Sequence, residues 1–300
     1  MVQRRVGLGV PKAVIYWIAG ALAVIAAALL INTARHGAGW PTRVDTPKER
    51  AARLAPYWQL VLPDGPGPHP AAVLLSGCDG VRDNMQYWAT VLADHGRAAL
   101  ILDSHRPRGL DALESWRLVC AGQALPGAER AGDLAVALDA LSGMDGLTDD
   151  IVVLGASHGG WTAMEFVRLA ASGDIPPGLS GWPSPPEGLL KSVSALVVLY
   201  PYCGVLNAAD SVPWSRAGKS LKMLMILAED DSIVSTGACL SMADALREGG
   251  AEIETVVLPN ADHGFDQSER SWISPLQFDA GLRAEAQAQV EAFLERVETP

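Results

Sequence analysis

Residues 150–170 read DIVVLGASHGGWTAMEFVRLA. An apolar run, Ile151 to Leu154, has the composition of a buried strand, and Trp161 onward reads as a helix. Between them stands Gly155-Ala156-Ser157-His158-Gly159, a serine flanked by glycines at a junction that must turn sharply. Glycine is suited to places where neighbouring chains crowd a tight turn. Serine packs poorly at such a point, so Ser157 is either a plain turn residue or a nucleophile lifted out of the chain. A G-x-S-x-G pattern with a strand before it and a helix after it is the context that a nucleophile elbow requires. The helix N-terminus beneath the serine favours negative charge, as an oxyanion would need.

Outward from this junction the chain alternates. Strands are expected at 71–77, 98–104, 194–201, 221–229 and 251–259, with a further one near residues 57–62. Helices are expected at 84–96, 128–143, 161–172, 235–250 and 280–297. Apolar strands alternating with helices imply a mostly parallel sheet covered on both faces. The stretch GDIPPGLSGWPSPPEG (173–188) reads as a surface loop because of its prolines. TPKERAARLA reads as a short helix capped by Thr46, with Pro47 in its first turn. No internal repeat is visible, and no second boundary follows the N-terminal segment.

In such a sheet, ligands bind beyond the carboxyl ends of the strands. A serine nucleophile there needs a base, and the base needs an orienting acid, in the chain order Ser, Asp or Glu, His. One histidine lies downstream of His158, namely His263 in NADHGF. The acid should follow the strand before it, where ILAEDDSIVS offers Glu229, Asp230 and Asp231. Asp231 is the choice, at the commoner distance past the strand and ahead of Ile233-Val234; Asp230 is the alternative. The oxyanion hole needs two backbone N–H groups, assigned to His158 and to Cys78 in the loop SGCDG. Arg106 and Arg108 follow a strand and either hold an anionic substrate group or make ion pairs. Tyr200, Tyr202 and Cys203 either wall the pocket or pack in the core. Trp161 adjoins the elbow as a candidate substrate contact, and Trp182 is a candidate cleft residue.

AAVLLSGCDG, LILDSHRPRG, GASHGGW, LYPYCG, EDDSIV and DHGF occur in an order and spacing that resembles dienelactone hydrolase-like members of the α/β-hydrolase superfamily. The resemblance covers roughly residues 55 to 297. It implies an α/β-hydrolase fold, a Ser157–Asp231–His263 triad, an oxyanion hole at Cys78 and His158, and hydrolysis of carboxylic esters or lactones. Two features depart from the family pattern. The founding enzymes use cysteine where this chain has Ser157, and the histidine of the family's HG oxyanion motif is Ser76 here. The same fold also hosts small peptidases and catalytically silent binding proteins.

Composition sets the remaining expectations. Of the 300 residues, 49% are hydrophobic and 19% charged, so the chain folds around a core. Val14 to Ile31 is an uninterrupted stretch of 18 uncharged residues, near the ~20 that an α-helix needs to cross a bilayer. Arg4, Arg5 and Lys12 precede it, which keeps the N-terminus cytoplasmic and exports the body. The segment is read as an uncleaved inner-membrane anchor, with a cleaved signal peptide and a periplasmic or secreted product as the alternative. The expected organisation is therefore 1–36 anchor, 37–56 linker and short helix, and 57–300 catalytic domain. Beyond position 36 lie 19 of the 23 basic and all 34 acidic residues, a net charge of −15. That argues against nucleic-acid binding. No zinc-ligand spacing occurs, and neither metal nor cofactor is expected. Cys78, Cys120, Cys203 and Cys239 are either four buried thiols or, after export, two disulfides in one of three pairings.

Overall fold

The computed structural model describes residues 11–41, 43–214, 221–270, 274 and 276–298. Arg4 and Arg5 lie outside the described residues. The first described element is helix α1 (Lys12–Gly37), followed by α2 (Pro47–Leu54). Thr46 caps α2 as its sequence implies: its hydroxyl accepts from the Glu49 N–H while Glu49 accepts from the Thr46 N–H, and Pro47 occupies the first turn.

The body is a single seven-stranded sheet. Its strands are β1 (Gln59–Val61), β2 (His69–Leu75), β3 (Ala98–Leu102), β4 (Leu147–Ala156), β5 (Val193–Leu199), β6 (Lys222–Ala228) and β7 (Glu252–Leu258). Their spatial order is β1-β3-β2-β4-β5-β6-β7, with β1 antiparallel to β3 and every other neighbour parallel. The connecting helices are α3 (Asp83–Asp94), the single turn α4 (Ala112–Glu114), α5 (Gly127–Ser142), α6 (His158–Ser172), α7 (Pro186–Ser192), α8 (Thr236–Glu248) and α9 (Ala280–Glu298). Side chains alternate across a strand, and the core divides accordingly. Val73, Leu75, Val153, Val198 and Met225 pack with α5, α6 and α8 on one face. Ala72, Leu74, Val152, Val197 and Ile226 pack with α3 and α9 on the other.

Two expectations change. The Pro-rich stretch 173–188 is not loop throughout, because Pro186 opens α7, where its missing N–H costs nothing. Trp182, a candidate cleft residue, is partly buried against the core and edge-on to Phe166. Among the described residues, α1 is the one helix long and apolar enough to cross a bilayer, and its apolar window is fully exposed. Among the described residues, its last turns hydrogen-bond to the body. Asn32 Nδ2 donates to the Gln123 carbonyl (2.8 Å), Gln123 Nε2 donates to Thr33 Oγ1 (2.8 Å), and His36 Nε2 lies 3.0 Å from the same carbonyl.

Candidate active site

Ser157 occupies the turn between β4 and α6 with φ +51° and ψ −112°. A non-glycine residue in this region is strained and persists only where its surroundings fix it. The Ser157 N–H donates to the Leu199 carbonyl (2.8 Å), and its own carbonyl accepts from the Trp161 and Tyr202 N–H groups (3.2 Å each). The flanking glycines are obligatory for packing. A Cβ on Gly155 would lie 2.4 Å from the Gly159 carbonyl oxygen, and one on Gly159 would lie 2.0 Å from that of Leu75. The serine is thus held proud of a turn that no larger residue could form.

His263 comes from the loop after β7, and its Nε2 lies 2.8 Å from Ser157 Oγ. Its Nδ1 lies 2.8 Å from Asp231 Oδ2. The loop after β6 aims this carboxylate, because Asp231 Oδ1 accepts from the N–H groups of Ile233 (2.9 Å) and Val234 (2.8 Å). The Asp231 side chain is 1% exposed. Asp230 is exposed, and its backbone N–H is engaged by the Ala261 carbonyl. The structure therefore brings Ser157, His263 and Asp231 into one hydrogen-bonded row and leaves Asp230 outside it.

The row opens into a cavity of about 100 Å³ with mostly apolar walls, lined among others by Cys78, Trp116, Cys120, Tyr200, Ile233 and Leu276. Gly77 passes so near the nucleophile that a Cβ there would stand 3.8 Å from the Ser157 Cβ, which sets the loop containing Cys78 beside the serine. The His158 N–H is a first-turn donor of α6 and has no partner within the helix.

Neither a protein-family model nor a curated protein matches the sequence. Solved structures do match. A dienelactone hydrolase-like promiscuous phosphotriesterase from metagenomic libraries superposes with a TM-score of 0.56 at 20% identity, over 80% of this chain and 92% of that one. Thermogutta terrifontis esterase 2 phosphonylated by cyclosarin gives 0.55 at 15% identity, over 81% and 90%. The apo form of that esterase gives 0.54 at 15%, over 80% and 89%. The chain has the dienelactone hydrolase-like α/β-hydrolase fold.

Within this α/β-hydrolase fold, the four expected substrate contacts are placed elsewhere than the cavity wall. Arg108 is drawn inward to Asp133, with Nη1 to Oδ2 at 2.8 Å and Nη2 to Oδ1 at 3.0 Å. Arg50 binds the same carboxylate, and the two cations hold Asp133 well below the usual carboxylate range although burial alone would raise it. A guanidinium so paired is not available to a substrate anion. Arg106 is exposed and lies over the Tyr57 ring, 5.8 Å from its centroid. Trp161 and Tyr202 pack on one another with ring centroids 5.0 Å apart, beneath the elbow. The cavity wall instead uses Trp116, from a single π-helical turn, and Gln267 and Leu276, from loops, where the sequence carries no periodic signal.

Both cysteine pairs are oxidised, Cys78 with Cys120 and Cys203 with Cys239. The first bridge forms part of the cavity wall. Tyr200 also lines the cavity, edge-on to the His263 ring at 4.8 Å. Its hydroxyl donates to Asp266, which also accepts from Trp88 Nε1 (2.7 Å). Burial raises the Asp266 carboxyl above its ordinary range despite these donors.

Proposed function

We propose that this chain is a serine hydrolase that cleaves small carboxylic esters or lactones through an acyl-enzyme. The observation that carries the reading is the unbroken row from Ser157 Oγ to His263 Nε2 and from His263 Nδ1 to Asp231 Oδ2, 2.8 Å at each step. Such a row lets His263 take the hydroxyl proton as Ser157 attacks the carbonyl carbon, while Asp231 fixes the tautomer and steadies the imidazolium. The N–H groups of Cys78 and His158 receive the oxyanion. Collapse of the tetrahedral intermediate expels the alcohol, which takes its proton from His263. Water then repeats the sequence on the acyl-serine. The apolar wall and small volume of the cavity suit an uncharged acyl group. The fold neighbours named as esterases and a phosphotriesterase support the hydrolase class.

The same reading makes α1 a membrane anchor, residues 37–56 the connection, and residues 57–300 an exported catalytic body. The test is a fluorophosphonate probe applied to the wild type and to Ser157→Ala, alongside a panel of short esters and lactones. Labelling should be confined to the wild type, and turnover in the variant should fall by roughly three orders of magnitude or more. A chain that is folded, unlabelled and inert to the panel would be a silent binding protein on this fold.

A further inference from the structure

Arg130 belongs to α5, is wholly buried, and has no carboxylate within ion-pair distance among the described residues. An unpaired buried cation is costly for a fold to keep, so its two hydrogen bonds bear on why it is there. Both come from Nη1. One goes to the Ser76 carbonyl (2.9 Å) and the other to His158 Nδ1 (3.0 Å). Nε and Nη2 have no hydrogen-bond partner among the described residues. Ser76 leads directly into Gly77 and Cys78, the arm that passes beside Ser157, and His158 is the arm that follows the nucleophile. One guanidinium nitrogen therefore ties together the two chain segments to which the serine-hydrolase reading assigns the oxyanion donors.

We infer that Arg130 is a positioning residue that sets the spacing of the oxyanion hole, acting through the Ser76 carbonyl and the His158 ring. The inference rests on the serine-hydrolase reading above. Because Arg130 has only protons to offer, Nδ1 of His158 is the acceptor, and the ring is neutral. Burial, then the charge of Arg130, push the His158 imidazole well below its ordinary range, in keeping with this tautomer. Arg130 itself is lowered by burial only to about 10, so it keeps its charge at neutral pH. The guanidinium also contributes a positive charge behind the site where the oxyanion forms, in surroundings that screen it weakly.

The test compares Arg130→Met, Arg130→Lys, His158→Phe and His158→Gln in the full chain. His158→Phe removes the acceptor and His158→Gln restores one, while both keep the backbone N–H. Three readouts are taken: kcat and KM on a short ester, the inhibition constant of an alkyl boronic acid, and the melting temperature. The boronic acid forms a tetrahedral adduct on Ser157 and places an oxygen in the oxyanion hole. Arg130→Met and His158→Phe should lower kcat about ten- to a hundredfold, less than outright loss of an oxyanion donor. KM should stay within about twofold, and boronate affinity should weaken by the same factor as kcat. His158→Gln should recover most of both. A folded Arg130→Met or His158→Phe chain with wild-type kcat and boronate affinity would overturn the inference. If Arg130→Met does not fold, the His158 pair decides alone. Fluorophosphonate labelling of the wild type separates the two levels. An unlabelled wild type sinks the hydrolase reading itself, whereas a labelled wild type with indifferent variants sinks only the role of Arg130.

Discussion

Asp230 and Asp231 are adjacent carboxylates of the same chemical kind, and their surroundings separate them. Asp231 accepts two backbone N–H groups on one oxygen and faces His263 with the other, whereas Asp230 points to solvent. Asp231→Asn should therefore cost roughly a thousandfold or more in kcat, through the wrong imidazole tautomer, and Asp230→Asn less than about threefold. Steady-state kinetics on one ester checks this, and the reverse ranking would transfer the acid to Asp230. Sequence spacing pointed to Asp231 and marked Ile233 and Val234 without showing why they matter; their N–H groups hold the carboxylate. Arg108 shows the opposite case. Its position after a strand suits an anion clamp, but its partner Asp133 lies on a helix 25 residues away, and no local pattern reveals that pairing.

Buried histidines at this scale also set a pH response. His105 and His158 are held well below the ordinary value of 6.5, by burial first and by Arg130 next. Both are neutral when folded and regain protons on unfolding below about pH 6.5, so the unfolded state binds more protons there. Their contribution to stability is complete above that pH and is lost as pH falls, at up to about 1.4 kcal/mol per pH unit for each ring. Asp266, raised by burial, acts in the opposite direction, its contribution being greatest at low pH. A difference measurement isolates the histidine part. The drop in melting temperature between pH 7.5 and 5.5 should be smaller in His105→Leu than in the wild type, and equal drops would mean that His105 is not neutral when folded.

At the scale of elements, the alternation of strands and helices was legible because core strands such as β2, β3 and β5 are short apolar runs and a helix such as α5 carries an apolar stripe. The segment from α4 to α5 was not legible. Trp116 and Cys120 wall the cavity from a single π-helical turn, Ser115–Val119, and its cap, too short to show a period in the sequence, and their place depends on the bridge to Cys78, one of three pairings that sequence alone left open. The two bridges should differ in consequence. The Cys78–Cys120 bridge spans 42 residues and the Cys203–Cys239 bridge 36, so by loop entropy each removal costs up to about 4 kcal/mol. Only the first lies in the cavity wall and fixes the arm that carries the Cys78 N–H. Cys120→Ala and Cys239→Ala should lower the melting temperature comparably. Only Cys120→Ala should also lower kcat, by about tenfold, and equal kcat values in the two variants would separate the bridge from catalysis.

For the whole molecule, the sharpest contrast is between α1, exposed and apolar, and a body that buries its apolar residues in two layers. The apolar stretch was plain in the sequence, but its docking was not, because Asn32, Thr33 and His36 meet Gln123 about 90 residues away. Gln123 lies three residues past Cys120, so α1 rests on the segment that walls the cavity. Those contacts are a few hydrogen bonds, each worth about 1 kcal/mol net. None of them reaches Ser157, His263 or Asp231. Deleting residues 1–36 should therefore give a soluble protein with kcat on a small water-soluble ester within about twofold of the full chain. Its melting temperature should fall by a few degrees. In cells, the full-length protein should fractionate with membranes and resist a carbonate wash. A shortened, soluble product outside the inner membrane would make α1 a cleaved signal. Full-length protein in the cytosol would defeat both routes, and there the two bridges would be expected to stay reduced.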